Sequence, residues 1–245
     1  MLEGEASYRS ATMVHELALV MPVYNEQDCI QDVVKDWAAV LDGLGIDYVM
    51  IILNDGSTDG TFQQLATFAG NHRINLVNKI NSGHGPTILK GYREALQEAE
   101  WVFQCDSDNE IPAQCFPDLW GKRNDFDAVL GCRQRPHQPL QRKIISWIAL
   151  QTVRFFFGRG VIDVNVPYRL VRSSVLSRII DKIAEDTFAP NVIISGVLAK
   201  RNFRILNFPV SWRPRSTGKV SIVRSKLYKA AILSFRQTLE VSKTI

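Results

Sequence analysis

No stretch of these 245 residues is apolar enough, for long enough, to cross a bilayer. The longest apolar-rich segment, 144–157, is broken by Gln151 and Arg154 and falls short of the roughly 20 residues a spanning helix needs. The start of the chain carries Glu3, Glu5 and Glu16 and lacks a basic region followed by an apolar run, which excludes a secretory signal. A cytoplasmic protein without a transmembrane segment is therefore expected. The four cysteines, Cys29, Cys105, Cys115 and Cys132, have neither the spacing of a metal site nor the density of a disulfide scaffold. Internal repeats and low-complexity tracts are absent too. Acidic residues are missing from Lys200 to Arg236, a span with ten Lys and Arg. That imbalance suits a polyanionic partner such as phosphate or anionic lipid, although a solvated basic face gives the same count.

What is present is an ordinary globular composition, 46% hydrophobic and 22% charged, enough for a full core. Leu17–Val23, Tyr48–Leu53 and Trp101–Cys105 are short continuous apolar runs, the pattern of strands buried on both faces. Apolar residues from Asp28 to Leu41 recur at helical spacing, and helices are also expected near Thr61–Phe68 and from Pro86 to about Glu98. Strand, helix, strand, helix at this spacing predicts a parallel sheet with helices on both faces. The second half predicts strands at Asp127–Gly131, Val166–Val171 and Arg204–Val210. Its expected helices are Leu140–Phe157, Ser173–Ile183, Pro190–Lys200 and an amphipathic closing helix at Ser221–Val241.

Three polar loops follow apolar strands directly: Tyr24-Asn25-Glu26, Asn54-Asp55-Gly56 and Asp106-Ser107-Asp108. Ligands of such sheets bind at the carboxyl ends of the strands, so these loops should converge on one edge. Asp106 and Asp108, on alternate residues, suit a hard cation such as Mg²⁺ or Mn²⁺ bridging the phosphates of a donor. Asp55 suits a nucleobase N–H, or else a turn. Asp59 fits a helix cap.

Val20-Met21-Pro22-Val23-Tyr24-Asn25-Glu26, Asn54 to Asp59 and Asp106-Ser107-Asp108 together resemble the donor-site motifs of family 2 glycosyltransferases, in that family's order and spacing. Asn81-Ser82-Gly83-His84-Gly85, with Gly91-Tyr92, is similar to the loop and helix between its second and third motifs. Gly131-Cys132-Arg133, Asp163 to Leu170 and Pro209 to Gly218 resemble the polyprenyl-phosphate sugar transferases, typified by dolichol-phosphate mannose synthase.

The resemblance covers about Leu17 to Ser221. It implies an α/β GT-A (Rossmann-like) fold over 17–220, between an N-terminal extension (1–16) and a C-terminal amphipathic helix (221–245). It also implies an inverting, metal-dependent hexosyltransferase that moves a sugar from a GDP- or UDP-sugar to a polyprenyl phosphate, or to a saccharide hydroxyl. Pro22, Tyr24, Glu26 and Asp55 would hold the nucleoside, with Asp106, Asp108 and Glu110 around Mg²⁺ or Mn²⁺. Arg133, Arg142 and Arg215 would face phosphates. Glu110 stands where the mannose synthases often have glutamine, and the lysine after the Arg-x-x-Gly-x-Ser element is out of register, with Lys219 or Lys226 nearest.

With a hydroxyl acceptor, Glu185 or Asp186 matches the base position, though the pair also reads as an ordinary helix start. Leu140 to Phe157, aromatic and flanked by Arg142, Lys143, Arg154 and Arg159, suits either core packing or an in-plane position on the cytoplasmic face of the membrane. Nucleotidyl transfer is disfavoured, since no Gly-rich phosphate loop follows the first strand. Nucleic acid is not an expected partner.

Overall fold

The computed structural model describes residues 15–134, 140–214 and 224–244, without the side chains of 140–142 and 224–231. The elements follow the predicted order. The first half holds β1 (His15–Val23), α1 (Ile30–Gly43), β2 (Tyr48–Asp55), α2 (Thr61–Ala66), β3 (Ile74–Lys79), α3 (His84–Glu98), β4 (Ala99–Cys105) and a short α4 (Phe116–Trp120). The second half holds β5 (Ala128–Arg133), α5 (Leu140–Phe156), β6 (Tyr168–Arg172), α6 (Ser173–Ile180), α7 (Pro190–Lys200), β7 (Ile205–Val210) and α8 (Arg224–Thr244).

The seven strands form one sheet in the order β3-β2-β1-β4-β6-β5-β7. All pairings are parallel except those of β6, which runs antiparallel to both β4 and β5. Successive residues of a strand face opposite sides. Phe103 packs on Trp37 of α1, with ring centroids 5.3 Å apart, whereas the next residue, Gln104, meets Tyr92 of α3 and Asn191 of α7. Helices therefore cover both faces, as the continuous apolar runs require. Phe103, Phe116 and Tyr168 join Trp37 in an aromatic cluster, and each fully buried ring contributes roughly 1.5–3 kcal/mol. On the other face α3 lies so close that a Cβ at Gly91 would come within 2.4 Å of Val20 and 2.8 Å of Leu53.

Pro22 is buried in β1, where a central strand ordinarily excludes proline because it lacks an N–H. Pairing with β4 reaches only to Val20, while pairing with β2 continues past Pro22. The strand is thus half an edge at that point. The reversed direction of β6 matters most for the site. Its entry loop, 161–167, arrives at the edge where β1, β2, β4, β5 and β7 end. Among the described residues, no helix is long and apolar enough to cross a membrane.

Candidate functional site

The loops after β1 and β2 are stitched to each other. Asn25, at φ 57°, takes the left-handed conformation that asparagine tolerates. Its side-chain oxygen accepts from Thr58 N at 2.8 Å, its own N–H donates to Ser57 Oγ at 3.0 Å, and Glu26 N donates to Thr61 Oγ1 at 2.8 Å. Asp59 accepts from Thr61 N at 3.0 Å and from Gln27 N at 3.4 Å. It thus ties the start of α2 to the first loop, although the N-cap position expected for it is held by Gly60, without a side-chain cap bond. Glu26 is buried, with Cys29 Sγ 3.4 Å from its carboxylate. Tyr24 is left exposed at 38%.

Asp55 closes β2 and is 4% exposed. Lys79, at the end of β3, pairs with its Oδ1, which also accepts from Ser82 N at 2.9 Å, while Oδ2 accepts from Gly83 N at 3.0 Å. Burial alone would raise the pKa of this carboxyl. The Lys79 ammonium and the backbone donors outweigh burial and hold it below its ordinary value. The Lys79 partnership gave no signal in the sequence, because nothing local marks a lysine 24 residues away as a partner.

Asp106 and Asp108 follow β4 as expected. Asp106 Oδ1 accepts from Gln104 Nε2 at 3.2 Å and lies 3.6 Å from His84 Nε2. Gln104 is itself fixed, since its Oε1 accepts from Asn191 Nδ2 at 2.8 Å and lies 3.3 Å from the Tyr92 hydroxyl. All three are buried, so a closed polar network from α3 and α7 ends on Asp106. Asp108 Oδ1 accepts from Glu110 N at 3.1 Å across Asn109, at φ 55°. The Cys105 thiol is pushed well up, first by burial and then by the charges of Asp106 and Asp108.

Glu110, expected as a third metal carboxylate, lines the same small pocket as Asp106 and Asp108 and has one carboxylate oxygen engaged. Its Oε2 accepts from the Trp212 indole at 2.8 Å and its carbonyl accepts from Arg213 N at 2.8 Å, which fastens the loop after β7 to the loop after β4. Among the described residues no three His, Cys, Asp or Glu side chains are grouped to hold a metal ion by themselves. Two carboxylates with the rest of the shell left to phosphate and water suit Mg²⁺ or Mn²⁺, which are commonly held by one or two carboxylates plus substrate phosphates. The donor set fits such an ion.

Arg133, expected to face phosphate, is clamped by Asp163: Nε donates to Oδ2 at 2.7 Å and Nη2 to Oδ1 at 2.8 Å, with Nη2 also reaching Asn165 O at 3.2 Å. The two N–H groups of Nη1 have no partner among the described residues. Arg169, beneath the same loop, is fully buried and donates to the carbonyls of Val164, Val166 and Asn191. It acts as a fastener of the loop. Arg133 and Asp163 line a cavity of about 490 Å³ walled by α5, the start of α7 and α8, with Trp147, Leu150, Ile162 and Phe235 among its residues. Exposed apolar side chains lie on the two helices that wall it: Ile144, Trp147, Ile148 and Phe155 on α5, and Ile232, Leu233 and Phe235 on α8. The side chain of Arg142, and Arg215 with Gly218 and Lys219, lie outside the described residues.

Residues 18–183, more than half of the chain, match the family described as glycosyl transferase family 2. The chain belongs to that family. Among curated relatives, the undecaprenyl-phosphate 4-deoxy-4-formamido-L-arabinose transferase of Enterobacter sp. (strain 638) is 25% identical over 210 residues, which cover 84% of this chain and 62% of the relative. The protein of that name from Klebsiella pneumoniae is 26% identical over 217 residues, covering 86% and 64%. The chain thus spans less than two thirds of the length of these relatives. Its GT-A fold is similar to that of glucosyl-3-phosphoglycerate synthase from Mycobacterium tuberculosis, with a TM-score of 0.69 at 17% identity over 94% of this chain and 80% of the other. The synthase has also been crystallised with Mn²⁺, UDP-glucose and phosphoglyceric acid. For this family 2 chain, the family match spans β1 to β6, and the likeness of fold alone covers the rest of the sheet.

Proposed function

We propose that this chain transfers a sugar from a nucleoside diphosphate to a polyprenyl phosphate at a membrane surface, with inversion at the anomeric carbon. One observation carries the reading: the carboxylate pair after β4 shares a sheet edge with an apolar cavity that has an arginine in its wall. Asp106 and Asp108 would hold Mg²⁺ or Mn²⁺. When bound, the ion neutralises charge on the departing diphosphate, a contribution of several kcal/mol. Gln104 and its buried partners fix Asp106 in place.

The acceptor phosphate, with a second pKa near 6, already carries a nucleophilic oxyanion at neutral pH. One of its oxygens bonds to the anomeric carbon as the bond to the diphosphate breaks, and no side chain has to remove a proton. Asp163 orients Arg133, and its Nη1 group, without a partner among the described residues, would neutralise phosphate through charge-assisted hydrogen bonds. The apolar cavity suits an isoprenoid chain. The exposed residues of α5 and α8 suit the membrane interface, where Lys143 and Arg154 on α5 would meet anionic headgroups. The names of the undecaprenyl-phosphate transferases agree with this acceptor.

A saccharide acceptor would need a carboxylate base. Glu185 is exposed and 3.6 Å from Arg93, in the loop whose Thr187 and Phe188 carbonyls press on Gly85 at the start of α3. A base role for Glu185 would require it to leave Arg93 and turn toward the acceptor. The deciding experiment incubates the protein with labelled UDP- and GDP-sugars, Mn²⁺ or Mg²⁺, and either undecaprenyl phosphate in vesicles or soluble oligosaccharides. Label is expected in the lipid, and label only in oligosaccharide would overturn the lipid acceptor.

A further inference from the structure

We infer that Gln237, on α8, is a positioning residue for both substrates at once. It fixes the loop 184–189, which braces Asp106 on one side and walls the apolar cavity on the other. The inference rests on the donor and acceptor sites proposed above and concerns what joins them. The side-chain oxygen of Gln237 accepts from Phe188 N at 2.9 Å, and its Nε2 lies 3.5 Å from Asp186 O. One amide thus holds two backbone groups of the same loop. Before the loop, Arg93 of α3 donates to Ile183 O at 3.3 Å.

The loop serves two sites. Phe188 and Ala189 line the cavity together with Val192, Ser234, Phe235 and Thr238. Towards the donor site, the Thr187 and Phe188 carbonyls lie against Gly85, too close for any side chain there. The residue before Gly85 is His84, which stands 3.6 Å from Asp106. Two residues beyond the loop, Asn191 starts the buried route through Gln104 to the same carboxylate. A displacement of the loop is therefore felt at Asp106 along two paths, and at the cavity directly.

Ser234, Gln237, Thr238 and Val241 recur at helical spacing on the covered side of α8, so Gln237 faces the loop while Ile232, Leu233 and Phe235 stay exposed. Both of its bonds lie at the surface. In Gln237→Met, water takes the place of the amide and the fold loses little, but the loop loses its preset position. A ligand whose site is complete only with the loop in place then binds more weakly, in proportion to the fraction of chains that hold it there. The same fraction governs nucleotide and lipid phosphate, so both weaken by a similar factor. Whichever ligand binds first restores the loop and lifts the handicap from the second. A residue that only stabilised α8 would not produce that pattern.

Calorimetric titration of the full chain in MnCl₂ tests the inference, with UDP and farnesyl phosphate each added alone and then UDP added in saturating farnesyl phosphate. Gln237→Met is expected to weaken each ligand alone by about fivefold, the effect of one typical hydrogen bond. In saturating farnesyl phosphate its affinity for UDP should return to that of the wild type under the same conditions. Repulsion between the two anions cancels in this comparison, because Gln and Met are both neutral. If the variant does not fold, hydrogen exchange of the wild type decides: the 184–189 amides should slow on adding either ligand alone. Weakening of only one ligand or of neither, a UDP deficit that farnesyl phosphate leaves unchanged, or amides slowed by one ligand and not the other would each overturn the inference. Wild type that binds UDP but not farnesyl phosphate would overturn the lipid acceptor, and wild type that binds no UDP would overturn the donor reading; the inference falls with either.

Discussion

Asp55 is ionised in the folded chain at a lower pH than in the unfolded one, because Lys79 and two backbone N–H groups favour its charged form over the opposing effect of burial. A depressed carboxyl pKa stabilises the fold above the unfolded value, here near 3.8, and that stabilisation is lost as pH falls through the folded value. Urea denaturation across pH 2–6 should therefore show the wild type losing stability below about pH 4 more steeply than Asp55→Asn; parallel curves would contradict this. Gln104 is a second residue with a calculable role. Gln104→Leu leaves the buried Asn191 amide N–H without its acceptor, although Tyr92 keeps its bond to Asn191 Oδ1, costing about 1–3 kcal/mol, and removes one donor to Asp106. Weaker Mn²⁺ uptake is expected even at temperatures where the variant is fully folded. Asp108→Asn should fold normally and lose about a hundredfold or more in turnover, as removal of a metal-binding charge implies. Unchanged turnover in a transfer assay would remove the carboxylate pair from the mechanism.

Individual elements show where sequence reasoning reaches and where it stops. The runs Leu17–Val23, Tyr48–Leu53 and Trp101–Cys105 are apolar throughout, so each could be read as a strand buried on both faces, and each ends at a polar loop that the structure brings to one edge. The direction of β6 left no such mark. Tyr168–Arg172, with Arg169 and Arg172 among its five residues, would have the same composition run either way, yet its reversal delivers Asp163 and the loop before Pro167 to the site. Arg133 was legible as a candidate but its clamp was not, because its partner lies 30 residues downstream. Glu110 was legible only as a carboxylate near two others. Its indole partner comes from Trp212, 102 residues away.

Gly85 belongs to this scale too. A Cβ there would stand 2.2 Å from Thr187 O and 2.4 Å from Phe188 O, backbone atoms that cannot turn aside. Gly85→Ala should therefore separate α3 from the loop before α7, at about 1–3 kcal/mol in thermal or urea unfolding, and weaken nucleotide binding at His84 and Asp106. Stability within about 0.5 kcal/mol of wild type would show that the loop yields freely.

At the scale of the whole molecule, the sheet edge divides into a negative half, around Asp106 and Asp108, and an apolar half, around the α5–α8 cavity. Trp147 is 61% and Phe155 82% exposed on the outer surface of α5. Large apolar side chains in that position are costly unless something covers them, and a membrane interface gives each roughly 1.5–3 kcal/mol when buried. Replacing both with Glu should reduce co-sedimentation with anionic vesicles by about tenfold or more, with hydrolysis of the nucleotide sugar in solution unaffected. Equal binding of variant and wild type would place the membrane contact elsewhere.

The most direct test of the account is a Mn²⁺ titration followed by electron paramagnetic resonance in the presence of UDP. Wild-type protein should take up about one ion per chain, as expected for two carboxylates completed by a diphosphate, and both Asp106→Asn and Asp108→Asn should lose that uptake while remaining folded. Undiminished uptake in both variants would place the ion elsewhere and contradict the account.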